Sequence, residues 1–414
     1  GHDAFPPRNN EQEIMKDICK TFPLVAPELK KEARLHIEKL QEEMRKDAFD
    51  AVLIAANPNI YYTALRVYRG YVWVPAEGAP LYLVIRPNNL TGDDVVCLRK
   101  PEQLPDVLSE RGYDCTGTVG MEFGELTYAE CTRLMKALPG ATVMDAAHTI
   151  RRARIVKTDW EIQQMRIDAS LQMEAYGKIP RFYREGMTDV ELQILIEQEL
   201  RRHGCLGFPR VSGRLMQINL GSVISGDNAD VPTPYDFSMG GAGSHPSLPV
   251  GADGREILVG TTVMVDMNGC FNGYQSDLTR TYRVGAVPEL AERAHRCSRD
   301  ILRSLEKMAK PGVPVCDLYK EAERIVKDAG LEDYYMGHCQ KVVFIGHGVG
   351  IELNELPVVT ARTGEPLQIR TTLALEPKFV IPHVGAVGVE NTYLVTENGL
   401  ENLTPCPEEL IDLE

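Results

Sequence analysis

Short apolar runs alternate with helix-like segments in the first 150 residues of the chain. Two such runs, Ala51–Ala55 and Leu81–Ile85, are shorter than a typical helix and consist mainly of aliphatic residues. A charged, helical pattern lies within residues 1–45, and a second helical pattern covers residues 127–137. Continuous apolar runs of this length are typical of strands covered on both faces. The pattern therefore predicts an α/β domain with a mostly buried sheet.

The pattern changes near residues 150–157, where we place a domain boundary. Thr158 with Glu161, and Thr188 with Glu191, form capping-box sequences, in which two side chains satisfy free N–H groups at the start of a helix. They predict helices that reach about residue 176 and about residue 202. The sequence is therefore divided into domains at 1–153 and 154–414, and two domains are also expected from a length of 414 residues.

The second domain contains an internal repeat. The helical pattern between the glycines of residues 186–204 matches that of residues 312–330, at an offset of 126 residues. The strand pattern of residues 261–266 matches that of residues 371–376, at an offset of 110 residues. Chance similarity between amphipathic helices is the alternative. Because each half runs from a helix to a strand ending in a carboxylate, the sequence predicts a duplicated α+β unit with internal pseudo-two-fold symmetry.

Each half also carries two carboxylates on a predicted hairpin. Asp266 ends an apolar run, and Asp277 lies on the return strand after the Asn272–Gly273 turn, a strong hairpin signal. Glu376 and Glu390 take the corresponding positions in the second half. A single aspartate after a strand is more often a turn or helix cap. Four carboxylates beside a core, however, repel one another unless cations neutralise them, so the pattern predicts a metal site.

A histidine stands in a glycine-rich segment between the two pairs. His347 is flanked by Gly346, Gly348 and Gly350, and glycines allow the backbone to approach a site closely. A lone histidine is usually an ordinary polar residue, and this glycine spacing differs from that of a dinucleotide-binding loop.

These residues together resemble the ligand motifs of the pita-bread metallohydrolases, which include Xaa-Pro aminopeptidases, prolidases, methionine aminopeptidases and creatinases. The resemblance covers about residues 150–405. It rests on the 11-residue spacing of Asp266 and Asp277 and on residues 346–353, 376–377 and 388–392. It implies an α+β pita-bread (creatinase/aminopeptidase) fold for the C-terminal domain and a homodimer. The N-terminal domain resembles the creatinase/prolidase N-terminal domain in size and pattern.

The resemblance also implies a site for two divalent metal ions. Asp266 would bind one ion, Asp277 and Glu390 would bridge the pair, and His347 with Glu376 would bind the second ion. Oxygen-rich ligation with one imidazole suits Mn²⁺, Co²⁺, Zn²⁺ or Fe²⁺. Two such ions lower the pKa of a bridging water, and Glu376 is predicted to accept its proton.

Three positions depart from the pattern of the Xaa-Pro peptidases. Thr233 and Asn354 stand where those peptidases have histidines, and Gly388 stands where an arginine is frequent. An amide donates hydrogen bonds but does not shuttle protons, so Asn354 is predicted as a catalytic donor and Thr233 as a substrate-binding residue. His245, in an apparent insertion at residues 235–249, is a candidate replacement for the missing imidazole, as a substrate-binding residue that could also shuttle a proton. The alternative is an ordinary surface histidine.

Composition and charge limit the partners. A net charge of −14 and a pI near 5.3 argue against a nucleic-acid partner. The sequence contains no apolar stretch of the ~18 residues that a membrane span needs, and residues 1–5 lack the pattern of a signal peptide. The ten cysteines contain no C-x-x-C pair and are predicted to be reduced, mostly buried thiols of a cytoplasmic protein.

The leading hypothesis is a dinuclear metallohydrolase of the Xaa-Pro dipeptidase or aminopeptidase type that acts on small peptides. One alternative is an amide or amidine hydrolase for a small metabolite, as in creatinase-like and ectoine-hydrolase-like proteins. The other is a binding module without catalysis.

Overall fold

A computed structural model describes residues 20–413, which form two compact units divided between Ala153 and Arg154. Over this range, every helix is too short or too polar to cross a bilayer. Three of the described cysteines, Cys205, Cys270 and Cys297, are buried, whereas the other six are partly or fully exposed. The prediction of mostly buried thiols is therefore wrong for the described residues.

The N-terminal unit is an α/β domain. Its strands are β1 Phe22–Pro23, β2 Ala51–Ile54, β3 Arg69–Pro75, β4 Leu81–Arg86, β5 Leu90–Thr91, β6 Val95–Cys97, β7 Gly117–Met121 and β8 Ala141–Asp145. Its helices are α1 Lys30–Lys46, α2 Asn57–Ala64, α3 Leu104–Glu110, α4 Tyr128–Ala137 and α5 Ala147–Ala153, with short 3₁₀ helices at Pro27–Leu29 and Pro101–Gln103. Six strands form one mixed sheet in the order β6-β4-β3-β2-β7-β8.

The two apolar runs of this unit form buried strands, as predicted. All four residues of β2 are buried, and so are the first four of β4. In α1, the buried residues Ala33, Ile37, Leu40 and Met44 recur at intervals of three or four, which places them on one face of the helix. The sheet core and this apolar face follow directly from the two periodicities in the sequence.

The C-terminal unit contains two larger sheets and a hairpin. Its strands are β9 Gly221–Ser225, β10 Thr262–Cys270, β11 Gln275–Arg283, β12 Phe344–Gly348, β13 Glu355–Thr360, β14 Thr372–Leu375, β15 Lys378–Ile381, β16 Gly385–Gly388, β17 Asn391–Thr396, β18 Gly399–Asn402 and β19 Ile411–Asp412. Its helices are α6 Asp159–Tyr176, α7 Asp189–Arg202, α8 Glu289–Met308 and α9 Val315–Ala329, with 3₁₀ helices at Ile179–Arg181, Gly226–Asp230 and Glu332–Tyr334. The sheet orders are β19-β11-β10-β9 and β13-β12-β14-β17-β18, and β15 pairs with β16.

Each half of this unit consists of two helices followed by a sheet. Both predicted capping boxes are confirmed: the Thr158 and Thr188 hydroxyls accept hydrogen bonds from the N–H groups of Glu161 and Glu191. Helices α6 and α7 contribute to one core with the four-stranded sheet, and α8 and α9 contribute to another core with the five-stranded sheet. The order of elements is that of the predicted α+β duplication.

The first carboxylate hairpin differs from the prediction in one respect. Strand β10 does not end at Asp266 but continues to Cys270, because Met267 and Cys270 are buried in the core. Asp266 lies opposite Thr279, and Asn268 lies opposite Asp277. Since residues two apart on a strand share a face, the side chains of Asp266 and Asp277 lie on the same face of the hairpin.

The remaining carboxylates reach this face from the second half. Glu376 directly follows β14, and Glu390 lies between β16 and β17. The backbones of Glu390 and Thr279 exchange hydrogen bonds of 3.2 and 3.3 Å, and the Thr279 hydroxyl donates to Glu390 Oε2 at 2.7 Å. This antiparallel bridge joins the two halves where the four carboxylates meet.

Candidate metal centre

A cavity of about 740 Å³ in the C-terminal unit contains the predicted ligands on its wall. Asp266, Asp277, His347 and Glu376 line it, and Glu390 lies just behind them, at 1% exposure. The structure therefore brings together all five residues that the sequence singled out.

One group within this cluster consists of Asp277, His347 and Glu390, whose potential ligand atoms lie within 4.8 Å of one another. His347 Nε2 lies 3.6 Å from Asp277 Oδ2, and His347 Nδ1 lies 2.9 Å from the Gly348 carbonyl oxygen. A carbonyl only accepts, so Nδ1 carries a proton and Nε2 is left to bind a metal ion when the ring is neutral.

Two carboxylate oxygens in this group have no hydrogen-bond partner among residues 20–413. Asp277 Oδ1 and Glu390 Oε1 are both buried and unsatisfied. Burial, followed by the negative charges of Asp266 and Glu376, raises the pKa of Asp277 well above its usual range. Burial and the neighbouring Asp277 do the same to the pKa of Glu390. Because a bound cation would relieve the repulsion and satisfy both oxygens, this group fits a divalent metal ion.

Glu376 and His347 form an ion pair across the centre, with Oε2 and Nε2 3.3 Å apart. Burial alone would lower the pKa of His347, but the hydrogen bond and the charge of Glu376 raise it to about 9. Burial likewise opposes ionisation of Glu376, yet the charge of Lys378 and the bond to His347 hold its pKa well below its usual range. A metal ion would replace the proton on His347.

Lys378 is a member of the centre that sequence reasoning missed. Its side chain is 0% exposed, and its ammonium donates to Asp266 Oδ2 at 2.8 Å and Glu376 Oε1 at 3.1 Å, with Glu390 Oε2 at 3.4 Å. Burial of an ammonium is unfavourable unless it is paired. The signal was a lysine that opens the apolar run of β15, two residues after a predicted ligand.

Ser238 is the second residue that was missed. It belongs to the insertion at residues 235–249, lines the cavity, and donates through Oγ to Glu376 Oε1 at 2.6 Å. Its Oγ also accepts a hydrogen bond of 3.1 Å from Lys378. No local pattern distinguishes this serine from its neighbours, because its role depends on how the insertion folds back over the centre.

Comparison with known proteins agrees with this geometry. Residues 163–397, more than half of the chain, match the family model of metallopeptidase family M24. The chain belongs to metallopeptidase family M24. Residues 36–156 match the creatinase/prolidase N-terminal domain. The predicted family and the predicted fold class are both confirmed.

The M24 relatives are similar over nearly the whole chain. The Xaa-Pro dipeptidase of Pyrococcus horikoshii is 26% identical over 379 residues, which cover 91% of this chain and 98% of the relative. The Xaa-Pro dipeptidase of Pyrococcus furiosus is 26% identical over 382 residues, or 91% and 99% of the two chains.

Solved structures show the same fold. The prolidase from Pyrococcus horikoshii OT3 superposes with a TM-score of 0.72 at 25% identity, covering 91% of this chain and 99% of that chain. The Xaa-Pro dipeptidase from Bacillus anthracis superposes with a TM-score of 0.76 at 22% identity, covering 92% and 100%.

Thr233 and Asn354, which the resemblance places at histidine positions of the Xaa-Pro peptidases, form hydrogen bonds to loops. The Thr233 hydroxyl donates to the Pro249 carbonyl at 2.9 Å. Asn354 lines the cavity, and its amide donates to the Ser212 carbonyl at 2.8 Å and accepts from the Ser212 N–H at 2.7 Å. These bonds hold segments of the cavity wall. The substrate-binding role of Thr233 and the catalytic role of Asn354 stay predictions.

His245 lies away from the carboxylate cluster. The side chain is exposed, lies outside the cavity lining, and its Nδ1 is 2.8 Å from Ser247 Oγ. The insertion therefore reaches the centre through Ser238, and the predicted substrate-binding role of His245 stays a prediction.

The backbone conformation explains why a glycine occupies position 388, the third position that departs from the Xaa-Pro peptidase pattern. Its φ is +137°, and a Cβ atom at this position would lie 2.6 Å from the Pro377 carbonyl oxygen. Any side chain here would be strained. Gly388 pairs with Lys378 across β15 and β16, so a cationic side chain stands on the opposite strand instead.

Proposed function

We propose that this protein is a metal-dependent exopeptidase of the Xaa-Pro dipeptidase or aminopeptidase type. The observation that carries the proposal is the cluster of four carboxylates and a histidine at the cavity, with three of the carboxylates and the histidine in its wall. Two buried carboxylate oxygens of the cluster are unsatisfied among the described residues. The similarity of both units to proteins named Xaa-Pro dipeptidase supports the choice of substrate.

In this proposal the ligands are Asp266, Asp277, His347, Glu376 and Glu390. The ion is Mn²⁺, Co²⁺, Zn²⁺ or Fe²⁺, which oxygen-rich ligation with one imidazole suits. When bound, it supplies Lewis acidity and lowers the pKa of a water molecule. The resemblance predicts two ions, and the proposed function requires at least one.

Residues of the chain supply proton transfer and orientation. Glu376 lines the cavity, and its carboxylate is the proposed acceptor of the proton from the attacking water. Ser238 donates to Glu376 Oε1 and so orients that carboxylate, leaving Oε2 toward His347. Asn354 holds Ser212 in the cavity wall, and this fixes the loop against which a substrate would lie.

The size of the cavity supports a small substrate. About 740 Å³ lies within the range of pockets that enclose small molecules. Apolar side chains such as Leu215, Phe237 and Val343 share its wall with the carboxylates. Such a wall suits a short peptide that contains the apolar proline ring.

The proposal also includes a domain boundary between residues 153 and 154, a homodimer and a cytoplasmic location. The division of the structure at Ala153 supports the boundary. Free cysteines among the described residues, including Cys97 and Cys339 on the surface, support a reducing compartment. Light scattering coupled to gel filtration tests the dimer.

A turnover assay tests the function. Purified protein is stripped with a chelator, reloaded with Mn²⁺ or Co²⁺, and given Xaa-Pro dipeptides, longer Xaa-Pro peptides, and small cyclic and guanidino amides. We expect release of the residue before proline, loss of turnover in the stripped protein, and loss in Asp277→Asn. Turnover of the small amides alone would favour the metabolite hydrolase. A folded protein that binds no divalent ion would favour the binding module.

A further inference from the structure

The carboxylate cluster contains two candidate metal groups, and the Lys378 ammonium lies within one of them. Asp266, Glu376 and Glu390 have potential ligand atoms within 4.8 Å of one another. The same three carboxylates surround Lys378 Nζ at 2.8, 3.1 and 3.4 Å, and Ser238 Oγ lies at 3.1 Å. An ammonium has three N–H donors, so these neighbours use its whole hydrogen-bonding capacity. The space that a metal ion would take in this group already contains a cation.

The other group contains no ammonium. In the group of Asp277, His347 and Glu390, the Asp277 Oδ1 and Glu390 Oε1 atoms are buried without a hydrogen-bond partner in the part of the chain that the structure describes. Glu390 belongs to both groups and divides its oxygens between them, because Oε2 faces Lys378 and Thr279 while Oε1 is unsatisfied. One group therefore already contains a cation from the chain itself, and the other is left for an external cation.

The Lys378 side chain has little freedom to move out of the carboxylate cluster. Lys378 is the first residue of β15, its backbone is paired opposite Gly388, and its side chain is fully buried. A displaced ammonium would lose three carboxylates and a hydroxyl while still buried, which is strongly unfavourable. A second divalent ion bound to the same oxygens, at the ~2.0–2.2 Å typical of metal–oxygen bonds, would also repel the ammonium at close range.

We propose that Lys378 takes the place of one metal ion, so that this centre binds a single divalent ion between Asp277, His347 and Glu390. The inference rests on the proposed function, because it presumes a metal-dependent enzyme. The ammonium neutralises one of the four carboxylate charges, and one divalent ion neutralises two more. Asp266 then forms an ion pair with the Lys378 ammonium instead of binding a metal ion.

Metal stoichiometry tests this inference without any turnover. Stripped protein is titrated with Mn²⁺ by calorimetry, bound manganese is counted by elemental analysis after dialysis, and the loaded protein is examined by electron paramagnetic resonance. We expect one ion per chain and the sextet of an isolated Mn²⁺. In Lys378→Met, which has a similar length and no charge, we expect two ions per chain and the spectrum of a coupled pair.

Lys341→Met is the matched control. Lys341 lines the same cavity, but its ammonium donates to the carbonyl oxygens of Glu332 and Tyr335 and not to the carboxylate cluster. Its removal should leave one ion per chain. Single-site variants in the wild-type background add a second comparison: if Asp266 pairs with Lys378 instead of a metal ion, Asp266→Asn should lower manganese affinity less than Asp277→Asn does. Asp277→Asn should lower manganese affinity by more than ~100-fold, which is the largest loss expected from substitutions of residues that do not bind the metal directly.

Each other outcome has a definite meaning. Two ions in the wild-type protein would overturn the inference and make Lys378 a counter-charge beside a metal pair, while leaving the proposed function intact. A single ion in folded Lys378→Met would also overturn it. A folded wild-type protein that binds no ion would overturn the proposed function itself. If Lys378→Met fails to fold, the wild-type stoichiometry and spectrum decide.

Discussion

At the scale of single residues, the centre is organised by hydrogen bonds that fix each carboxylate in one orientation. Glu376 is bonded through Oε1 to Ser238 and Lys378, and its Oε2 lies 3.3 Å from His347 Nε2. These contacts favour the ionised carboxylate and hold its pKa well below its usual range. Glu376 is therefore ionised and able to receive a proton, while the same contacts make it a weaker base than a free glutamate.

Replacing Glu376 by glutamine should reduce kcat by about 10²–10⁴-fold, the usual contribution of a positioned acid–base group. The amide keeps the size of the side chain but removes the charge that faces Lys378 and His347, so thermal unfolding must first show that the variant is folded. Steady-state kinetics at saturating metal measure the effect. Ser238→Ala is the companion variant and should reduce kcat less than Glu376→Gln does, because Ser238 acts through the carboxylate. A loss below tenfold in Glu376→Gln would remove its proposed role as the proton acceptor.

Replacing His245 by alanine separates the two interpretations of the insertion. From its exposed position outside the cavity, we expect a change in kcat/KM below about threefold, whereas an imidazole that transfers protons contributes about 10²-fold or more. Kinetics on an Xaa-Pro dipeptide over a range of pH measure it. A large loss, with a changed pH profile, would show that the loop brings His245 to the substrate during turnover.

At the scale of elements, helix α8 and strand β16 are linked by a neutral histidine. His295 Nε2 lies 2.7 Å from the Glu408 carbonyl oxygen, and Nδ1 accepts from the Gly388 N–H at 3.2 Å. If Nδ1 were protonated, its N–H would point at the Gly388 N–H, and the two donors would repel each other. Burial lowers the pKa of His295 from 6.5 to about 4. The strand that precedes Glu390 is thus held by an uncharged imidazole.

This link predicts a pH dependence of folding. Between pH 6.5 and 4 the unfolded chain binds a proton at His295 and the folded chain does not. The contribution of the neutral imidazole to the free energy of unfolding is therefore complete above pH 6.5 and is lost as the pH falls. Urea unfolding of the stripped protein should show a fall in the free energy of unfolding over this window. His295→Gln should be less stable near neutral pH and should show a shallower fall. The exposed control His245→Gln should retain the slope, and an unchanged slope in His295→Gln would contradict the argument.

At the scale of the whole molecule, the metal centre is the junction of the two halves of the C-terminal unit. Asp266 and Asp277 come from one sheet, and Glu376 and Glu390 come from the other half. The Thr279–Glu390 bridge connects them. Repulsion among the carboxylates therefore acts between the halves, and a bound cation strengthens the junction.

Metal loading should raise the stability of the protein because an ion that binds only the folded state stabilises it by mass action, by about 2.7 kcal/mol at a hundredfold excess over Kd. Asp277→Asn removes one buried charge from the cluster. We expect stripped Asp277→Asn to be at least as stable as the stripped wild-type protein, yet to gain no stability on adding Mn²⁺. Differential scanning calorimetry with and without a chelator measures both. A normal metal-dependent rise in Tm in Asp277→Asn would exclude Asp277 as a ligand.

Much of the fold was predictable because its signals are local. The capping boxes at Thr158 and Thr188 and the turn at Asn272–Gly273 act within a few residues, and the structure contains all three. The five candidate ligands were also visible in the sequence as acidic residues and a histidine within apolar or glycine-rich segments. The sequence placed the end of β10 at Asp266, because this residue interrupts an apolar run. In the structure the strand continues to Cys270, and most of its residues remain buried.

The sequence by itself determined the two-domain α/β and α+β architecture, the family and the candidate ligands, because periodicity, capping and motif spacing are properties of short segments. Only the tertiary structure decided what surrounds those ligands. Lys378 reaches Asp266 and Ser238 across 112 and 140 residues of sequence, and the insertion presents Ser238 instead of His245. Such contacts depend on how strands and loops from both halves converge, and no local pattern encodes that convergence.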